Sequence, residues 1–306
     1  MNYRALKRLN AVLFLLSLIV LLYPIRSLAG NRPQDSEAFK RYWYSGKAEL
    51  TRYDLHQARY GEMRHGDAVL IFVTEDFLKD KQVKHEYGSG ANAISVLKLN
   101  LTRKFNTGVY PYSMMTSIFT PVDISAYPRT LKTTTSVQEW CGHVFQQLNL
   151  RGGKYDVELR SYFQRQSDRD FSLKPTLLED EIWTRIRLAP DSLPTGRVTI
   201  IPGGQYERLR HKEIRPEDAT ASFTTESDPA LRVYTVDYKS IKRKLVIKFE
   251  KEFPYKIVEW EETTPSGFGP KQVILTTRAV KTNSIYTDYW HKNRVMDAPL
   301  RKELGL

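Results

Sequence analysis

A carboxylate, a thiol and an imidazole stand at alternate positions in Gln138-Glu139-Trp140-Cys141-Gly142-His143. These are the ingredients of an activated cysteine nucleophile. Cys141 would attack, His143 would take its proton, and Glu139 would orient the imidazole. The same three groups are also a possible ligand set for Zn²⁺. Read as one strand, Thr133–Leu148 carries Glu139, Cys141 and His143 on one face and Trp140 and Val144 on the other. Two considerations weigh against chemistry. Side chains at i and i+2 of one strand diverge less than a tetrahedral site wants, and no CxxC or HExxH pair occurs elsewhere. A lone cysteine in a strand-rich chain also behaves mostly as a small buried hydrophobe. The expectation is therefore a noncatalytic protein, with a hydrolase or metal-binding protein using Glu139, Cys141 and His143 as the alternative.

Other groups offer less. Glu75 and Asp76 are a carboxylate pair at the end of an apolar run. Neighbours in a strand point to opposite faces, so these two cannot flank one bond. Gly88-Ser89-Gly90 lacks the Lys-Ser/Thr of a phosphate loop, and no GxSxG elbow or dinucleotide fingerprint is present. The reading thus calls for no cofactor and no metal. The aromatic clusters Tyr42-Trp43-Tyr44 and Tyr289-Trp290 suit stacking on a sugar, a lipid boundary or closure of a sheet end.

The elements that must position these groups are mainly strands. Tyr155, Val157, Leu159 and Phe163 alternate with Asp156, Glu158 and Arg160, and Leu245, Ile247 and Phe249 alternate with Lys244, Lys248 and Glu250. Such period-2 patterning marks strands with one face in a core and one in water. Ala68–Val73 is apolar throughout and reads as a strand covered on both faces. Four strand-like runs between Leu231 and Val280 are joined by spacers too short for crossover helices, so they predict an antiparallel meander. One helix is expected, over Pro175–Leu188. Glu179, Asp180 and Glu181 suit its start, Arg185 and Arg187 its end, and Leu178, Ile182 and Ile186 form its apolar stripe. The fold class is mainly β: a large antiparallel curved sheet or barrel-like domain, 30–306, with that helix packed against it.

The first residues point to export. Arg4, Lys7 and Arg8 precede the apolar run Ala11–Leu22, Pro24 ends it, and Ser27-Leu28-Ala29 supplies small residues at a cleavage site after Ala29. Basic start, apolar core, helix breaker and small-x-small site, in that order, predict a signal peptide over 1–29. The alternative is an uncleaved helix anchored in the inner membrane. Lys and Arg number 47 against 35 Asp and Glu. With Arg4, Lys7, Arg8 and Arg26 removed, the mature chain carries +8, dispersed rather than clustered. Dispersed charge argues against a nucleic-acid partner. The expected partner is a lipid, a glycan or an envelope protein, in the periplasm or at the outer membrane, with membrane contact only through the leader or peripherally. A single cysteine excludes an internal disulfide, so core packing alone must hold the fold.

Several phrases resemble an exported family of Bacteroidota whose activity is uncharacterised. They are Tyr42-Trp43-Tyr44-Ser45-Gly46-Lys47-Ala48-Glu49, Gln57-Ala58-Arg59-Tyr60-Gly61-Glu62, Ala68–Phe77, Gln138–His143, Leu193-Pro194-Thr195-Gly196 and the terminal Leu300–Leu306. The similarity covers nearly the whole mature chain. Many members carry a lipoprotein cysteine after the leader; this chain has none there. The family often bears the label of the Maf septum-formation inhibitors, which are cytosolic nucleotide pyrophosphatases. Their Ser-x-Ser-Pro-Arg-Arg motif is absent here, so the resemblance implies export and one fold, and no mechanism.

Overall fold

The structure, a computed structural model, describes residues 33–306. The expected leader and its cleavage site lie outside the described residues. A short helix, α1 (Glu37–Trp43), precedes β1 (Ala48–Arg59), β2 (Glu62–Leu78), β3 (Val83–Lys84), β4 (Ala93–Thr107) and β5 (Tyr110–Pro121). Next come β6 (Lys132–Glu139), β7 (Gly142–Arg151), β8 (Lys154–Ser161) and β9 (Arg169–Leu173). The second half holds β10 (Leu177–Leu178), α2 (Glu179–Leu188), β11 (Gly196–Ile201), α3 (Gly204–Arg210) and β12 (Glu217–Thr225). It ends with β13 (Leu231–Tyr238), β14 (Arg243–Glu250), β15 (Ile257–Ser266), β16 (Val273–Thr287) and a last helix, α4 (Pro299–Glu303).

All these strands join one 16-stranded sheet, in the order β10-β11-β12-β13-β14-β15-β16-β1-β2-β4-β5-β6-β7-β8-β9, with β3 beside β2. Every ladder is antiparallel except β10 with β11. The expected meander from Leu231 to Val280 is β13 to β16. The two ends of the sheet, β9 and β10, are joined by residues 174–176 alone. A link that short spans at most about 14 Å, so the sheet must curl until its ends meet. Side chains fill that seam: Leu148, Tyr155 and Val157 from one end pack with Leu178 and Ile201 from the other, with Phe171 and Leu173 alongside. The mainly β, curled, barrel-like reading of the sequence is what the protein adopts.

Helix α2 lies inside the curl and is buried on all sides, with Ile182, Thr184, Ile186 and Arg187 all closed to solvent. It is shorter at its start than the expected Pro175–Leu188. Leu177 and Leu178 are extended because they pair in parallel with Ile200 and Ile201, so the helix begins at Glu179. Its terminal charges do not face water. Arg187 clamps Glu49 of β1 with two bonds of 2.6 and 2.7 Å, and Glu179 takes both guanidinium arms of Arg243 from β14. Arg243 Nε also donates to Glu262 at 2.9 Å. These buried pairs fix both helix ends to the stretch of wall that runs from β14 to β1.

The outer face of Ala68–Val73 is covered too, as its apolar run requires. Leu304 after α4 packs there against Leu50, Val69 and Val73, with Ile71 and Ile285 at the edge. No helix among the described residues is long and apolar enough to cross a membrane.

Candidate functional site

In a meander, alternate turns share a rim. The β1–β2, β4–β5, β6–β7, β8–β9, β13–β14 and β15–β16 turns lie at one rim, and α3 crosses it between β11 and β12. Helix α1 plugs the other end with Phe39 and Trp43.

The segment Thr133–Leu148 is not one strand but the β6–β7 hairpin, turning at Trp140-Cys141 on this rim. Residues 139 and 142 are directly paired and so share a face; beyond the turn the parity of the alternation reverses. Glu139 therefore points inward, where Arg208 Nη2 of α3 donates to it at 2.9 Å. His143 pairs with Gln138 on the outer face and is exposed. Glu139 does not orient His143. Cys141 sits exposed in the turn, and its N–H donates to Glu139 Oε2 at 2.6 Å. The Glu139 carboxylate pushes the thiol up from its ordinary range, which disfavours the thiolate.

The larger feature at this rim is a cavity of about 630 Å³ beside that hairpin. Phe163 and Arg165 from the β8–β9 turn form one wall, and Ile241, Pro265 and Phe268 form the facing one. Tyr206 and Arg210 of α3, with His211 and Lys212 after it, make the floor. Three full cations and an imidazole line this space, and no Asp or Glu does. Neither Arg165, Arg210 nor Lys212 forms an ion pair among the described residues. Two adjoining clefts of about 440 and 220 Å³ share Arg165, His211 and Lys212. Acids do enter there: Asp170 is held by Arg160 at 2.7 Å and Glu217 by Arg215 at 2.8 Å, while Glu213 lines both clefts with no ion-pair partner among the described residues.

More positive charge lies directly beneath. Arg59 is buried without a carboxylate partner among the described residues: it donates to Tyr112 at 2.8 Å, to Tyr60 at 3.0 Å and to the Leu209 carbonyl. Arg208 spans Glu139 and His211 Nε2, the latter at 3.2 Å, and lies 4.2 Å from the Phe163 ring centre. Burial, then Arg208 and Arg59, push the His211 imidazole down to about 4, so it is neutral at neutral pH. Burial likewise lowers the guanidinium of Arg210. Arg208 is thus matched by Glu139, whereas Arg59, Arg165, Arg210 and Lys212 form no ion pair among the described residues.

The reading of Glu139, Cys141 and His143 thus pointed at the correct rim by way of a local pattern. It missed the cavity, whose walls come from four separate segments. The signal present in the sequence was the run Arg208-Leu209-Arg210-His211-Lys212, basic at four of its five positions. Neither a family model, a curated protein nor a solved structure matches this chain.

Proposed function

We propose that this chain is an exported, noncatalytic protein of the cell envelope that binds a lipid-like ligand with an anionic head in the rim cavity. The observation that carries the reading is a lining of Arg165, Arg210 and Lys212 with no acid, set among Phe163, Tyr206, Ile241, Pro265 and Phe268. The volume falls within the range of small-molecule sites, roughly 300–1,000 Å³. Arg and Lys recognise phosphate or carboxylate, and the aromatic walls take the apolar part. An anionic head can pair with these cations where a neutral glycan cannot, so an acidic amphiphile fits better. Export, and a place in the periplasm or facing the outer membrane, rests on the leader pattern and on the resemblance to an exported family. The hydrolase or metal alternative on Glu139, Cys141 and His143 draws less support, because the first is committed to Arg208 and the last faces away from it.

The test compares lysophosphatidylglycerol with lysophosphatidylcholine by native mass spectrometry and calorimetry. The anionic lipid should bind at least about tenfold more tightly, about 1.4 kcal/mol. The exposed-residue substitutions Arg165→Gln and Lys212→Gln should remove most of that preference. Equal affinity for the two lipids, or a preference untouched by both substitutions, would sink the reading.

A further inference from the structure

Away from the rim cavity, three metal-ligating side chains converge on the outer face of the β1–β2 ladder. Along β1, Asp54 and His56 are two apart and so share a face, and His65 of β2 stands directly opposite His56. Opposed residues on paired strands have Cβ atoms about 5 Å apart. The two imidazoles meet at a ring-centre distance of 5.4 Å and an interplanar angle of 76°. His65 Nε2 lies 2.8 Å from Asp54 Oδ1, and His56 Nε2 lies 3.2 Å from Asp54 Oδ2. One donor atom from each residue falls within 4.8 Å of the others. In a tetrahedral site with bonds near 2.0 Å, neighbouring donors are roughly 3.3 Å apart. Small rotations of exposed side chains bring the three into that spacing.

We propose that Asp54, His56 and His65 bind a divalent transition-metal ion, Zn²⁺ being the natural occupant for two imidazoles and a carboxylate. Two features of the surroundings favour it. The platform is rigid, since β1 and β2 pair continuously from Glu49–Phe72 to Arg59–Glu62. The carboxylate of Asp67, directly opposite Asp54, is already bound to Arg52 through Nε at 2.8 Å, leaving Asp54 to the imidazoles. The ion would bridge the two strands through three protein ligands and leave its remaining position to water. This site is separate from the rim cavity and its existence does not depend on the ligand proposed there.

The experiment is calorimetric titration of the untagged full chain with zinc chloride, alongside X-ray absorption of the loaded protein. One zinc per chain in the micromolar range, with two imidazole nitrogens in its shell, is expected. His56→Gln and His65→Gln should each weaken binding at least about tenfold, whereas His291→Gln, at the other exposed His–Asp pair, should not. Unchanged melting temperatures of the metal-free variants would show that they still fold. No zinc uptake, or uptake that both variants retain, would overturn the proposal. So would an equal loss in His291→Gln, since that marks scattered surface binding.

Discussion

His211 concentrates the argument at the scale of one residue. It ends α3 in the left-handed region, at φ 51°, and lets Lys212 N–H bond back to Glu207 O at 2.9 Å. A side chain other than glycine costs about 1 kcal/mol there, so this position carries strain where Gly would carry none. Its imidazole, held down to about 4 by burial and then by Arg208 and Arg59, is the one group of the cavity that can gain charge in mild acid. A bound anion stabilises the protonated ring and raises that value in the complex. The complex then holds more protons than the free protein between the two values, so affinity must rise as pH falls through that window. For a phosphodiester-headed lipid, ionised throughout, binding should be tighter at pH 5 than at pH 7. In His211→Gly that gain should vanish while the melting temperature stays level or rises. A pH response that survives the substitution would assign it to another group. The basic run containing His211 is plain in the sequence, but its meeting with Arg165 is not, because the two are brought together only by the curl of the sheet.

At the scale of elements, helix α2 is the piece that most exceeds its sequence reading. Acid at the start and base at the end suit a helix dipole in water, and Glu179–Glu181 with Arg185 and Arg187 fit that rule. All of these but the half-buried Asp180 are instead buried, and partners reach Glu179 and Arg187 from distant strands. The Arg187–Glu49 pair spans 138 positions, a separation at which local pattern says nothing. Tyr42 donates to the same carboxylate, and the Arg187 guanidinium lies 4.6 Å from the ring centre of Phe72. Removing one member of such a buried pair strands the other charge. Arg187→Met should cost about 3–5 kcal/mol in urea unfolding. Adding Glu49→Gln neutralises the stranded acid and keeps an acceptor for Tyr42, so the double variant should recover part of the loss. Additive losses would mean the pair is not coupled. The β6–β7 hairpin misled in the opposite way. Alternation continues by eye through Trp140-Cys141, and only the length of the supposed strand, far beyond the usual five or six residues, signalled the turn.

For the whole molecule, period-2 patterning and short spacers made the curled sheet legible, whereas its closure was not. Closure follows from one three-residue link and from side chains that have no shared pattern. Among the described ladders none joins β9 to β10, so the barrel is sealed there by packing of Tyr155, Val157, Leu178 and Ile201 rather than by backbone hydrogen bonds. Elsewhere long ladders hold, β2 pairing with β4 from Gly66–Phe105 to Leu78–Ala93. Stability should therefore be uneven, with the seam opening before the wall opposite it. This matters for entry of the proposed ligand, because β8 and β9 flank the turn that bears Phe163 and Arg165. Leu178, buried in the seam, is the residue to truncate. Leu178→Ala should cost about 2–5 kcal/mol through the cavity it leaves. Amide exchange should quicken most in β8, β9 and β11 and least in β1, β2 and β4. Uniform acceleration across all strands would instead mean that the sheet opens as a single unit, with no weaker line along which the rim can part.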